Sequence, residues 1–249
     1  MTASPYRDVL PMPKAFASQT DFHEIVNHYK SLRLQALKLN PESFSSTYGQ
    51  ESQFPLDTWQ SRVLNPVGQT YVAVTSIDND SPSHLSLIDC NEGERESKQD
   101  LHLLLRNEWV GIATAIGPKT WTRQDGDTNS QPWDVFIQQG NYIIPQSVLL
   151  PSETSGAHLV YLIVGMFVLP HARGKGKAQR ILEAAARGIW EEAKEAGASA
   201  ASIVIQVEPM VINAQRLYER VGFKVKGKVL IGSTEAIALV KDLDLGSYT

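Results

Sequence analysis

Hydrophobic and polar positions follow a helical period in the first third of the chain. From Asp21 to Leu39 apolar residues recur every three or four positions, with Asp21 as the expected N-cap. Asn40-Pro41 ends this run, because a residue before proline disfavours the helical conformation. A second, shorter helix is predicted from Pro55 to Asn65-Pro66. The pattern therefore predicts two helices before the first strand.

The period then changes in the middle of the chain. Two β-branched runs, Thr70 to Ser76 and Glu108 to Ile116, predict strands. Between them, Asp78 to Asp100 is polar and aperiodic, which predicts a surface insertion, and Leu101 to Leu105 is interpreted as a return to strand. Residues 117–157 are predicted to form a second long loop. The aromatic residues of this segment favour ordered packing. One interpretation is that they enclose an aromatic or apolar amine. These residues are Trp121, Trp133, Phe136 and Tyr142.

The last hundred residues give a clearer pattern. His158 to Val168 is almost continuously apolar, which is typical of a strand buried on both faces. The elements predicted after it are a helix over Lys175–Ala196, a strand over Ser202–Val207, a helix over Val211–Val221 and two strands over Lys224–Leu230 and Glu235–Val240. This order indicates an α/β protein with a mixed sheet covered by helices.

Composition narrows the class of protein. The 249 residues are 42% hydrophobic and 20% charged, which is typical of a globular protein, and the net charge of −4 disfavours a broad nucleic-acid or membrane-surface footprint. The single cysteine, Cys90, fits a reducing compartment, and Met1 to Lys14 lacks the apolar core of a signal peptide. We expect a cytoplasmic protein, with access to the nucleus, that binds neither nucleic acid nor membrane.

Candidate chemistry is concentrated where the buried strand passes through a turn into the next helix. The first amides of a helix lack internal partners and lie at the positive end of its dipole. Here two glycines, Gly174 and Gly176, allow close approach to the backbone, and Arg173, Lys175 and Lys177 add positive charge. The junction is therefore predicted to bind an anion.

Two common phosphate motifs do not fit this junction. A P-loop needs Ser or Thr after Gly-Lys, but Gly176 follows Lys175; a dinucleotide fingerprint needs a small residue where Gln179 stands. The pattern that fits is Arg-x-x-Gly-x-Ala at Arg173, Gly176 and Ala178. It resembles the GNAT superfamily of N-acetyltransferases, and the resemblance implies that Arg173, Gly174, Lys175, Gly176, Lys177 and Ala178 hold the pyrophosphate of acetyl-CoA.

Two further segments carry the same resemblance. The helix before the closing strands has the family's Ala-x-x-Leu-Tyr-x-x-x-Gly-Phe pattern, from Ala214 to Phe223, and the opening helices contain a similar arrangement that includes Pro41–Phe44 and Trp59. The resemblance implies a central, mostly antiparallel sheet with a splayed parallel pair and helices on both faces. It also implies one domain over residues 1–249, with insertions at 78–100 and 117–157.

The resemblance also implies an activity, the transfer of acetyl from acetyl-CoA to an amine by direct attack. Backbone groups of Met166 and Val168 would pair with the pantetheine arm, and an amide near Met166 or Phe167 would polarise the thioester carbonyl. Tyr218 would be the general acid. Asn213 is a candidate cofactor contact, since the family's usual asparagine position holds Val211.

Several alternatives stay open on the sequence alone. Glu208 is the preferred general base, with His158 or Tyr161 as other candidates, whereas His171 is interpreted as a turn residue. The acceptor is an amine of a small molecule or a peptide. A CoA-binding sensor without turnover, and an acyltransferase that uses a longer acyl-CoA, are the alternative functions. The sequence offers no metal-ligand spacing and no Gly-x-Ser-x-Gly elbow, and a monomer or homodimer is expected.

Overall fold

The computed structural model describes residues 8–75, 92–122, 130–138, 141–142, 144–145, 147–231 and 234–246. The helices are α1 (Gln19–Leu39), α2 (Tyr48–Glu51), α3 (Leu56–Leu64), α4 (Glu92–Arg106), α5 (Pro151–Thr154), α6 (Lys177–Glu195) and α7 (Ile212–Arg220). Short 3₁₀ turns cover Pro41–Ser43, Pro132–Phe136 and Pro170–Ala172. Within the described residues, no helix combines the length and apolarity needed to span a membrane.

Seven of the nine strands in the described part of the chain form one mixed sheet. The strands are β1 (Val9–Pro11), β2 (Gly68–Val74), β3 (Trp109–Trp121), β4 (Ile137–Gln138), β5 (Asn141–Tyr142), β6 (His158–Val168), β7 (Ala200–Val207), β8 (Lys224–Ile231) and β9 (Thr234–Leu243). Their order in the large sheet is β1-β2-β3-β6-β7-β9-β8, and β4 pairs with β5 separately. β6 and β7 are parallel, whereas β9 is antiparallel to both β7 and β8. The expected mixed sheet with one parallel pair is confirmed.

The chain divides into two compact units, which are described separately. The first unit comprises Met1–Asn65, Thr70–Ile112 and Phe167–Ile181. Its core is formed by one face of α1 together with α3 and the inner strands, because the apolar residues of α1 recur at helical spacing. The buried side chains of α1 and α3 are Phe22, Ile25, Val26, Leu32, Ala36, Leu37, Trp59 and Val63.

The second unit comprises Pro66–Gln69, Ala113–Met166 and Leu182–Thr249. One face of β6, β7 and β9 is covered by the aromatic side chains of the 3₁₀ turn Pro132–Phe136. The buried cluster consists of Trp133, Phe136, Val160, Leu162, Val204, Ala238 and Val240. Trp133 and Phe136 are therefore core residues of this unit. Their packing is ordered, as predicted, but they fill the core and do not enclose a substrate.

Most predicted elements are confirmed to within a few residues, and β6 has the predicted bounds. Three expectations were wrong. Leu101 to Leu105 belongs to α4 rather than to a strand. The same helix covers residues 92–100 of the predicted insertion. The remaining part of that insertion lies outside the described residues. Residues 117–157 are not one loop, since β3 continues to Trp121 and short elements follow. Ser18, not Asp21, caps α1, because its hydroxyl accepts from the amide of Asp21 at 3.3 Å.

Candidate active site

The predicted anion site lies in the first unit, between β6 and α6. A 3₁₀ turn, Pro170–Ala172, leads into the loop Arg173–Gly176, and α6 then begins at Lys177. Gly174 and Gly176 adopt φ angles of 73° and 74°, a left-handed conformation that side chains other than glycine rarely adopt. Among the described residues, a Cβ atom on Gly174 would meet nothing within 4 Å, so this side of the loop leaves room for a ligand.

The loop and the start of α6 present a run of main-chain N–H groups. The first hydrogen bond of the helix here is from Arg180 N to Gly176 O, at 3.1 Å. The amides of Lys177 and Ala178 precede it and have no helical acceptor, and in the described part of the chain Gly174 to Gly176 donate to no backbone carbonyl. Main-chain donors without a backbone acceptor at the start of a helix fit a phosphate-type anion.

Arg173 adds a positive charge, and its guanidinium donates to two neutral acceptors. Its Nε donates to Val168 O at 2.9 Å, and its Nη2 donates to the Asn40 side-chain oxygen at 2.7 Å. The guanidinium also lies 5.7 Å from the ring centroid of Phe167. The residue is exposed, so its positive charge is oriented by the protein and available to an anion.

The two lysines of the turn have different surroundings. Lys175 is exposed, as predicted for an anion site. Lys177 is only 6% exposed, and its Nζ donates to Asp8 Oδ2 at 2.8 Å and to the carbonyl of Val74. The expectation that both ammonium groups charge the turn is corrected, because burial and the Asp8 carboxylate hold the Lys177 side chain inside. At the turn, Lys177 offers its main-chain N–H.

In the second unit, β6 separates from β7 before β6 ends. Parallel pairing runs from His158 opposite Ala200 to Ile163 opposite Ile205 and stops there, while β7 continues for two residues against β9. Gly165 follows with a φ of 66°, which interrupts the extended backbone. The half-buried residues 164–166, including Met166, thus have a strand edge that β7 does not occupy. Such an edge can pair with an extended ligand.

Tyr218 also lies in the second unit, on α7. Its side chain is 6% exposed, and its ring meets that of Phe223 edge-on with the centroids 6.1 Å apart. Burial raises the pKa of Tyr218 to about 12. The phenol is therefore protonated at neutral pH and has a proton to donate in a hydrogen bond.

The remaining candidates are less strongly supported by their surroundings. Glu208 is half-buried directly after β7, and Asn213 is exposed in the first turn of α7. His158 Nε2 lies 2.8 Å from the Ser202 hydroxyl, which donates to Asp242 at 2.7 Å, and burial lowers the pKa of His158 although Asp242 opposes this. His158 lies at the opposite end of β6 from Met166, which disfavours it as the base for chemistry near Met166.

Two residues of the candidate site have no obvious sequence signal. Asp8 pairs with Lys177 across 169 positions, and Asn40 binds Arg173 across 133 positions. Asn40-Pro41 was interpreted only as a helix end. The structure therefore adds an acidic and an amide side chain beneath the anion turn of the first unit.

Residues 136–225 match the sequence model of the acetyltransferase (GNAT) domain family. Over these residues the chain is similar to that family. The matched residues include both the anion turn and the segment from Ala214 to Phe223, and the resemblance to this superfamily is confirmed. A search of the curated proteins finds no match for the chain.

The search of solved structures finds acetyltransferases that resemble this chain at low sequence identity. NAA60 of Arabidopsis thaliana, solved with a bisubstrate analogue, is 13% identical with a TM-score of 0.50, and the match covers 95% of this chain and 99% of NAA60. A GNAT acetyltransferase from Streptococcus pneumoniae is 12% identical with a TM-score of 0.47, covering 95% and 100% of the two chains. Aminoglycoside acetyltransferase AAC(6')-Ib with coenzyme A is 13% identical with a TM-score of 0.46, covering 94% of each chain.

Proposed function

We propose that this protein transfers an acetyl group from acetyl-CoA to a primary amine of a small molecule or a peptide. The observation that carries the proposal is that β6 leaves β7 after Ile163 and then continues into the glycine-containing turn that precedes α6. Acetyl-CoA carries its acetyl thioester on an extended arm with two amides, and a diphosphate joins that arm to a phosphorylated adenosine. The free strand edge at Met166 suits the arm, and the turn that follows suits the diphosphate.

The proposed site for the diphosphate consists of main-chain N–H groups and two positively charged side chains. Gly174 leaves open space beside the backbone, and the amides up to Ala178 supply donors. Arg173, oriented by Val168 and Asn40, supplies a positive charge. The exposed ammonium of Lys175 supplies another. The Val168 carbonyl already accepts a hydrogen bond from Arg173. We therefore propose that, at this position, the strand contacts the arm mainly through main-chain N–H groups.

Tyr218 acts in this proposal as a hydrogen-bond donor to the departing thiolate. A thiol has an ordinary pKa of about 8.5, well below the value of about 12 for Tyr218. Full transfer of the phenolic proton to the thiolate would therefore be uphill by roughly 3 to 4 pKa units, or about 5 kcal/mol. The attacking amine becomes more acidic than the phenol, so its proton is the better source for the thiolate. The Tyr218 phenol lowers the barrier by donating a hydrogen bond to the sulfur as negative charge develops there.

The acceptor amine must be neutral when it attacks the thioester carbonyl. Glu208, half-buried after β7 in the same unit as Tyr218, is the proposed group that draws off its proton. An amide near Met166 is the proposed donor to the carbonyl oxygen. Cytoplasmic location and a monomeric or homodimeric state stay predictions.

The test combines binding with turnover. Calorimetry should show that the wild-type protein binds CoA, and a panel of amines should release free thiol from acetyl-CoA with at least one member. Tyr218→Phe should lower kcat about 10- to 100-fold, since it removes a donor used in the transition state, while the Kd for CoA changes less than threefold. Tyr48→Phe, which alters a phenol on α2, is the matched control. Unchanged kcat in Tyr218→Phe would refute its assignment.

Binding without turnover is the second candidate function, a sensor of acyl-CoA. Its supporting observation is Val211, the N-terminal boundary residue of α7, which makes no side-chain cap hydrogen bond where the family usually has asparagine. CoA binding without thiol release across the amine panel would favour this function. Faster release from longer acyl-CoAs than from acetyl-CoA would instead identify a longer-chain acyltransferase.

A further inference from the structure

Asp8 lies at the base of the anion turn, although it is far away in sequence. Its main-chain carbonyl accepts from Val74 N at 2.9 Å, next to the ladder of β1 and β2, so its position is fixed by the sheet. Its carboxylate is 15% exposed and binds two cations from the start of α6. Lys177 Nζ lies at 2.8 Å, and Arg180 contacts both oxygens at distances of 2.9 and 3.1 Å.

Arg180 extends these contacts to the turn itself. Its Nη2 donates to the carbonyl of Lys175 at 3.0 Å. Its Nη1 lies 2.8 Å from the position that a Cβ atom on Gly176 would occupy. The guanidinium thus packs against the backbone of Lys175 and Gly176 while Asp8 fixes its plane. Because Arg has a rigid fork of donors, one carboxylate can hold it in one orientation.

Dipole electrostatics show why this anchor is needed. Lys177 and Arg180 are cations in the first turn of a helix, where the positive end of the dipole disfavours them. Asp8 offsets that repulsion and leaves one net positive charge, which still favours an anion above the turn. Without the carboxylate, Arg180 would lose its anchor, and the carbonyl of Lys175 would lose a fixed donor.

We propose that Asp8 is a positioning residue for the turn that binds the diphosphate, and that it acts through Arg180 and Lys177. This inference rests on the proposed function, because it assumes that the ligand of the turn is the diphosphate of acetyl-CoA. Asp8 touches no substrate; it holds the main chain of Lys175 and Gly176 in place through Arg180, which donates to the Lys175 carbonyl.

The sign of the effect separates positioning from simple charge. If only charge mattered, Asp8→Asn would remove a negative group near the anion and strengthen CoA binding. If Asp8 positions the turn, Asp8→Asn weakens binding at least tenfold. Arg180→Lys keeps the charge but loses the fork, so positioning also predicts at least a fivefold loss, whereas a charge effect predicts none.

Calorimetry with CoA and with pantetheine, which lacks the diphosphate, localises the loss. We expect Asp8→Asn and Arg180→Gln to raise the Kd for CoA and the KM for acetyl-CoA at least tenfold. The Kd for pantetheine should change less than twofold and kcat less than threefold. Arg187→Gln, further along α6, is the matched control. The double variant Asp8→Asn/Arg180→Gln should be no worse than the weaker-binding single variant, because both act along one path.

Folding is checked by circular dichroism and melting of each variant. Asp8→Asn leaves the buried Lys177 ammonium without its carboxylate; if this variant does not fold, Arg180→Gln decides the question, since the Asp8–Lys177 pair remains in it. Folded variants that bind CoA as tightly as wild type, or more tightly, overturn the inference. Wild-type protein that fails to bind CoA overturns the proposed function instead, and the wild type is measured first.

Discussion

Glu51 is the buried carboxylate whose protonation should control the acid stability of the first unit. It ends α2 and is only 1% exposed. Arg33 donates to it at 2.7 and 3.2 Å, Arg62 at 2.6 Å and the Ser46 hydroxyl at 2.5 Å. The carboxylate thereby joins side chains from α1, α3 and the loop before α2. Its removal would leave two arginines without their shared anion.

The magnitude follows from the pKa of Glu51. Burial alone would raise that pKa, but the hydrogen bonds from Arg33, Arg62 and Ser46 together outweigh burial and lower it from 4.5 to about 2. A difference of roughly 2.5 pKa units corresponds to about 3 kcal/mol. Because the folded pKa is depressed, this stabilisation is fully present above pH 4.5 and is lost progressively as the pH falls towards 2.

Urea unfolding of wild type and Glu51→Gln at pH 7, 5, 4 and 3 tests this reasoning. At pH 7 the variant should be less stable by about 3 kcal/mol, since glutamine cannot neutralise two guanidinium groups. Between pH 4.5 and 3 the wild type should lose stability more steeply than the variant, and the gap between them should narrow. Glu24→Gln, an exposed position on α1, is the control. A Glu51→Gln variant with wild-type stability at pH 7, or with an unchanged acid slope, would refute the assignment.

Two further predictions concern the turn and the core. Gly176→Ala should destabilise the protein more than Gly174→Ala: the φ angles are 74° and 73°, but only at Gly176 would the new Cβ meet the Arg180 guanidinium, at 2.8 Å. Urea unfolding of both variants gives the comparison, and equal losses would contradict it. Phe136→Ala should cost about 3–5 kcal/mol in the same assay, because the ring is fully buried in the second unit; a loss below about 1 kcal/mol would show that the ring is not a core residue.

Sequence reasoning succeeded where a local pattern determines the structure. The bounds of β6 were predicted correctly because a continuously apolar run ends at Leu169-Pro170. The glycines of the turn, Gly174 and Gly176, were expected to allow close approach to the backbone, and the structure gives both a positive φ angle, which side chains other than glycine rarely adopt. These features depend on neighbouring residues alone, so no information about distant partners was needed.

The same reasoning failed where a short apolar run allows two structures. Leu101 to Leu105 is compatible with a strand or with a turn of helix, and periodicity over so few residues does not distinguish them. In α4, Leu104 is fully buried and its carbonyl accepts from the Trp109 side chain at 2.8 Å. The helix thus packs through a contact with the residue that starts β3. Its polar first half, which was interpreted as an insertion, is the solvated part of the same amphipathic helix.

The two lysines of the turn show why a main-chain site can be predicted more reliably than a side-chain site. Lys175 and Lys177 are equivalent in a motif, yet Lys177 is turned inward by Asp8, 169 positions away. The donors of a helix start are present whatever the distant sequence contains, because they belong to the backbone. The available charge depends on buried partners that no local pattern identifies. Counting basic residues in the motif therefore overstates the positive charge exposed at the turn, where Arg173 and Lys175 are exposed but Lys177 is buried.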